Sequence, residues 1–183
     1  TVRDKNNGNT LLIASALHGN IELCRLLLRQ GKTVVNVNLQ NYAGNTALHM
    51  ACGGGGQCQK SFLLVEVLVE NGARSDIQNS EGKTALHFAG QDGDADLIAL
   101  LLLHGGNTDL RDRFGCTPFD YASRRGHLNA TNLLTPKNSS HFNNKKIQFQ
   151  RESTNNNNYS YNESHISSQR FRRTAMNQEN KRD

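Results

Sequence analysis

Short apolar stripes punctuated by glycines dominate the first three quarters of the chain. Leu48 and Ala51, and again Leu86 and Ala89, recur at i and i+3, which lays each pair on one buried face of a short helix. A second apolar stretch follows in each case and closes on glycine, at Ile21–Gly31, Leu63–Gly72 and Leu97–Gly105. Thr46, Thr84 and Thr117 stand just ahead of the first stripe, where a hydroxyl accepts from the orphan amides of a helix start. Gly72 and Gly105 suit the left-handed C-cap that ends the second helix. The pattern predicts a unit of hairpin, helix, turn and helix. One such unit cannot bury its apolar face alone, so stability must come from stacking neighbours.

The unit repeats. Asn41-Tyr-Ala-Gly-Asn-Thr-Ala-Leu-His-Met-Ala-Cys52 aligns with Asn79-Ser-Glu-Gly-Lys-Thr-Ala-Leu-His-Phe-Ala-Gly90 and with Asp112-Arg-Phe-Gly-Cys-Thr-Pro-Phe-Asp-Tyr-Ala-Ser123. A weaker copy opens the chain at Asn7-Gly-Asn-Thr-Leu-Leu-Ile-Ala-Ser15. The equivalent glycines Gly8, Gly44, Gly82 and Gly115 lie 36, 38 and 33 residues apart. The motif resembles the ankyrin repeat, Thr-Pro-Leu-His-x-Ala after an Asp-x-x-Gly turn. The resemblance covers residues 5–134 and implies an all-α repeat solenoid with short β-hairpin fingers. Four repeats are expected, at 5–40, 41–78, 79–111 and 112–134.

Departures from the motif carry expectations of their own. Repeat one has Leu11 and Ile13 where proline and histidine are usual, which suggests contact with upstream sequence or a divergent N-terminal cap. About three extra residues fall within Lys32–Gln40, and about five separate the helices of repeat two within Gly53–Ser61. Repeat four has Asp120 for histidine and a polar second helix, His127–Leu134, as a C-terminal cap requires.

Charge sharpens the domain picture. Residues 1–134 hold twelve Lys/Arg and twelve Asp/Glu, so the formal +5 of the chain sits wholly in residues 135–183. That segment contains ten Asn and seven Ser with isolated apolar residues, a composition that cannot offset its ordering entropy and predicts a disordered, Asn-rich basic tail. Lys145-Lys146 and Arg170-Phe-Arg-Arg173 give it at most a weak nucleic-acid contact. No apolar run approaches the ~20 residues of a membrane helix. The four cysteines, Cys24, Cys52, Cys58 and Cys116, lack disulfide-framework spacing and suit reduced thiols in the cytoplasm or nucleus. The chain opens on Thr1 rather than Met, as a fragment or processed chain would.

Several residues imitate catalytic or metal chemistry. In the family resembled, the equivalents of His49 and His87 tie the helix start to neighbouring backbone and to the Thr hydroxyl, which reads them as structural rather than as general bases. Gly53–Ser61 imitates a phosphate loop, but Gln59 stands where glycine must precede Lys60. His49, Cys52 and Cys58 supply only three ligands around a loop, short of a tetrahedral zinc set. Asp92, Asp94 and Asp96 begin like a calcium loop, but Leu97 and Leu103 occupy the glycine and closing-glutamate positions. These acids are better placed to start the second helix. No cofactor, metal, small-molecule substrate or catalytic role is expected.

The resemblance implies instead a protein-binding scaffold that uses finger tips and the concave side of the first helices. Carried over to matching positions, the binding set is Tyr42 and Asn45 in repeat two. Repeat three gives Ser80, Glu81, Lys83, Gln91 and Asp92, and repeat four gives Arg111, Arg113, Phe114, Arg124 and Arg125. Phe114 flanked by arginines is the strongest cluster, since aromatics and arginines anchor interfaces. An acidic partner segment is expected against repeat four. The alternative is that the repeats are a regulatory segment of a larger enzyme, channel or ubiquitin-ligase subunit.

Overall fold

The computed structural model describes residues 2–29, 35–54 and 62–135. Repeat one supplies α1 (Leu11–Leu17) and α2 (Ile21–Arg29). Repeat two supplies α3 (Ala47–His49), which continues into a π-helical turn at Met50–Gly54, and α4 (Phe62–Glu70). Repeat three gives α5 (Ala85–Asp92) and α6 (Ala95–Leu103), and repeat four gives α7 (Pro118–Arg124) and α8 (Leu128–Leu134). The first helices pack in a row, α1 on α3 and α5 on α7, and the second helices form a parallel row behind them, with α4 between α2 and α6. The core runs between the two rows through Leu12, Leu48, Leu64, Leu86, Ile98, Leu101 and Leu134, all essentially inaccessible to solvent.

The expected caps form. Thr10 Oγ1 accepts from Ile13 N at 3.2 Å, and Thr46, Thr84 and Thr117 each open a first helix in a reciprocal capping box. Asp94 caps α6 by accepting from Leu97 N at 3.0 Å, the role foreseen for the acidic triplet. Gly72 and Gly105, with φ of 88° and 83°, end the second helices.

The fingers differ from expectation. They are turns closed by two backbone bonds each, Asn41 N to Asn45 O with Gly44 N to Asn41 O, Asn79 N to Lys83 O with Gly82 N to Asn79 O, and Asp112 N to Cys116 O with Gly115 N to Asp112 O, at 2.8–2.9 Å. Among the described residues no strand forms, and the one isolated bridge pairs Arg3 with Thr10. The reason is geometric: both bonds of a finger stay within its turn, and each finger hands one backbone N–H to its neighbour. Tyr42 N reaches Asn7 O, Ser80 N reaches Ala43 O and Arg113 N reaches Glu81 O, at 2.9–3.1 Å. This tiling requires glycine at the tips. Gly44 and Gly82 have φ of 73° and 76°, and a Cβ on either would sit 2.6 Å from Ser80 N or 2.9 Å from Asp112 Cα.

Of the two departures in repeat one, Ile13 turns into the stack. It is buried, and its counterparts His49 and His87 reach forward to the following repeat, so the position turns into the stack rather than upstream. Leu11, by contrast, is 57 % exposed. The insertion in repeat two starts at the π-helical turn, where Gly53 takes φ 111°, and its remainder lies outside the described residues. So do part of the Lys32–Gln40 insertion, Cys58 and the tail beyond Thr135.

Candidate functional site

Two kinds of side chain line the fingers: those that join repeats and those left facing outward. Asn41, Asn79 and Asp112 open fingers two to four, and each folds its own finger by accepting from the amides two and four residues on, at 2.8–3.1 Å. The amide nitrogen of Asn79 then donates to Asn45 Oδ1 at 2.8 Å, so Asn45 is engaged in the joint between repeats two and three. Gln78 Nε2 spans Gly82 O and Arg111 O, and Arg111 Nη1 donates to Gly115 O at 2.8 Å. Arg111 is therefore exposed but committed to holding its own finger.

Repeats three and four bring Glu81, Lys83, Arg113 and Phe114 together. Glu81 lies 2.9 Å from Lys83 Nζ and 3.5 Å from Arg113 Nη2. Lys83, whose hydrogen bond holds the Glu81 carboxyl below the usual range, points its ammonium over two rings, 5.8 Å from the Phe88 centroid and 5.5 Å from that of Tyr121. Arg113 lies over the Phe114 ring at 4.8 Å, and that ring is 66 % exposed. Tyr121 donates to Asp112 Oδ2 at 2.6 Å. Burial, and then this bond, push the phenol up to about 12. Burial works against the charge on Asp112, but its bonds to Tyr121, Cys116 N and Phe114 N keep the carboxyl below its usual range.

Gln91 and Asp92 lie half-buried at the end of α5, and Arg124 and Arg125 stand exposed at the end of α7. Arg124 and Arg111 both act electrostatically on Asp120, whose carboxyl is held low chiefly by its bond from Thr117 N. Ser80 is exposed on finger three. Tyr42 is 65 % exposed on finger two, its ring so close to Gly8 that a Cβ there would fall 2.6 Å from Tyr42 Cδ1. Tyr42 is thus apart from the repeat-four cluster.

Phe88 and Tyr121 escaped the sequence reading. Both occupy the variable position after the motif's fourth residue, and the available signal was that two successive repeats place an aromatic there. Lys83 sits between them because finger three hangs above the joint of α5 and α7.

The histidines offer nothing to a substrate. His49 Nδ1 accepts from Thr46 N at 3.1 Å, which puts the proton on Nε2, 3.1 Å from Lys83 O of the next repeat. His87 repeats the arrangement with Thr84 N and Cys116 O. Burial lowers both, His49 to about 4. Among the described residues, no three His, Cys, Asp or Glu side chains gather as a metal site, and no helix is long and apolar enough to cross a membrane.

The described surface thus carries a row of tiled fingers, an aromatic–cation–carboxylate cluster and an arginine-rich last repeat. The chain is 33 % identical over 135 residues to a glycerophosphocholine phosphodiesterase of Candida albicans, covering 71 % of this chain and 11 % of that protein. It is 33 % identical over 127 residues to an E3 ubiquitin-protein ligase of Arabidopsis thaliana, covering 66 % and 7 %. It is 32 % identical over 139 residues to an ankyrin repeat protein of Fowlpox virus, covering 73 % and 38 %. The chain thus spans well under half the length of each of these relatives. A family model of ankyrin repeats matches residues 1–60 and 57–146, nearly the whole of the stack and its flanks. With the capped helix pairs, forward-reaching histidines and tiled fingers, this places the chain in the ankyrin-repeat family.

Proposed function

We propose that the chain is a non-catalytic protein-recognition module whose principal contact lies on repeats three and four. The observation that carries this is the exposed Phe114 ring under Arg113, set beside Glu81 and the Lys83–Phe88–Tyr121 group on a backbone already ordered by inter-repeat bonds. Anchors held in place before binding cost little further ordering, and aromatic and arginine side chains carry most interface energy. Arg124 and Arg125 extend the patch with positive charge, so the partner presents an acidic segment there. Residence in the cytoplasm or nucleus goes with this reading and is supported by the scattered spacing of the four cysteines, which lacks a disulfide framework.

The test is affinity capture with the whole chain as bait beside the same chain carrying Phe114→Ala, Arg124→Ala and Arg125→Ala. All three positions are exposed, so the variant should keep the wild-type circular dichroism and melting temperature. A partner retained by the first bait and lost by the second is the expected result. Equal capture of the same partners by both would place the contact elsewhere.

A second reading, favoured by the matches to segments of a phosphodiesterase and a ubiquitin ligase, makes the same repeats a regulatory segment of a larger enzyme. The complete open reading frame separates the two, since only the second reading requires a catalytic domain in it.

A further inference from the structure

The two ends of the stack are built differently, and repeats two and three show what each end position looks like when covered. In those repeats, Ala47 and Ala85 at the start of the first helix are buried, as is Pro118 in repeat four. Each packs on the first helix of the repeat before it. The contact between repeats three and four is close enough that a Cβ on Gly90 would lie 2.6 Å from Pro118 O. The counterpart in repeat one is Leu11, a larger apolar side chain, and it is 57 % exposed. The second helices agree. Val67 and Leu100 are 7 % and 9 % exposed, but their counterpart Leu26 is 56 % exposed. Leu23 is likewise half-buried where Leu64 and Leu97 are buried.

The opposite end has been made polar. Where repeats one to three bury Cys24, Val65 and Ile98, repeat four has Thr131, and where repeat two buries Cys52 it has the exposed Ser123. The molecule therefore contains one adapted terminal face and one that keeps the apolar residues of an internal joint.

We propose that the leading face of repeat one, centred on Leu11 and Leu26, is a stacking interface for a preceding ankyrin-type repeat of the same array. The size of Leu11 specifies the occupant further. Opposite Pro118 the preceding repeat supplies Gly90, and the equivalent positions ahead of Ala47 and Ala85 are the small residues Ala16 and Cys52. A leucine in that place needs the smallest of these, so the incoming helix carries glycine there, and its second helix carries a β-branched residue like Val65 or Ile98. A second copy of this chain does not fit, because its trailing face offers Thr131 and Ser123 instead. This inference concerns a face remote from repeats three and four and stands whether or not they bind a partner.

The experiment joins a copy of residues 79–111, which carries Gly90 and Ile98, ahead of Lys5, preserving the spacing by which repeat four follows repeat three. Urea unfolding and amide exchange are then measured for the natural and extended chains, each with and without Leu26→Gln. The extension is expected to raise the urea midpoint and to slow exchange in α2 by tenfold or more. Leu26→Gln should remove most of that gain in the extended chain and change the natural chain little. An extension that melts separately, leaving α2 exchange unchanged, overturns the proposal. So does sedimentation of the natural chain as a concentration-dependent dimer that Leu26→Gln abolishes, since the occupant would then be a second copy.

Discussion

One position of the repeat, the third residue after the helix-capping threonine, is filled by Ile13, His49, His87 and Asp120 in turn, and each choice matches what lies beyond it. The histidines join one repeat to the next through Lys83 O and Cys116 O. Asp120 keeps the cap, accepting from Thr117 N and Oγ1 at 2.7 and 2.8 Å, but has no donor to send forward. Because the histidines are neutral when folded, acid should weaken the stack. Their folded pKa values lie below the unfolded value, so the unfolded chain binds more protons. The stability is complete above the unfolded pKa and drains away as pH falls from about 6.5 toward the folded value of about 4 for His49. Urea unfolding measured from about pH 7 to about pH 5 should show a loss approaching ~1.4 kcal/mol per pH unit from His49, with His87 adding a loss in the same direction. His49→Gln should be less stable at neutral pH but lose less on acidification; parallel pH profiles for the two proteins would contradict the account. The histidine role was legible in the sequence, since Thr-x-x-His recurs with its partner threonine. The Lys83–Phe88–Tyr121 group was not, because it joins a finger, its own helix and the next repeat's helix. Nothing in a one-dimensional pattern places those three together.

At the scale of the element, helix identity was readable because caps and apolar spacing are local, whereas the finger bonding was not, because it depends on how adjacent repeats tile. The π-helical turn at Met50–Gly54 shows the same limit: the five-residue insertion is visible in sequence, but its effect is to leave α3 one short turn where α5 has eight residues. Local propensity and packing can be set against each other at Gly90. It lies inside α5, where alanine would be favoured over glycine by about 1 kcal/mol on intrinsic grounds. The added Cβ would meet Pro118 O at 2.6 Å and Leu134 Cδ1 at 3.3 Å, and the first of these is backbone that cannot swing away. Packing should win. Gly90→Ala is expected to destabilise the protein by about 1–3 kcal/mol, as overpacking at a tight joint does. Thermal melts of the two proteins check it, and an unchanged or higher melting temperature would mean that the joint between α5 and α7 yields more easily than its geometry implies.

Across the whole molecule, stability accumulates joint by joint, because each repeat touches only its neighbours. The joints are unequal. Repeats two and three share the His49–Lys83 O bond, the Gln78–Arg111 O bond at 2.9 Å and the Asn79–Asn45 bond at 2.8 Å. Repeats three and four share the His87–Cys116 O bond and the Glu81–Arg113 ion pair. Repeats one and two share the Asn41–Asn9 bond at 2.8 Å, the Gln40–Gln78 O bond at 3.0 Å and the bonds of Asn38 to Gly72 O and Arg74 N at 3.0 and 2.9 Å, but Ile13 has no donor to match the histidine between the first helices. A buried hydrogen bond contributes about 1 kcal/mol net, so the first helix of repeat one, which lacks the histidine bond, should open before that of repeat four in this chain. Native-state amide exchange should therefore show Leu12–Ala16 exchanging through a lower-energy opening than Leu86–Gly90, with α7 closer to α5 than to α1. Coincident protection of α1 and α7 would show that the aliphatic packing of Ile13 replaces the missing bond in full. The two outer repeats would then open at similar energies, the apolar contacts of Ile13 in repeat one matching the histidine bond that repeat four receives through Cys116 O.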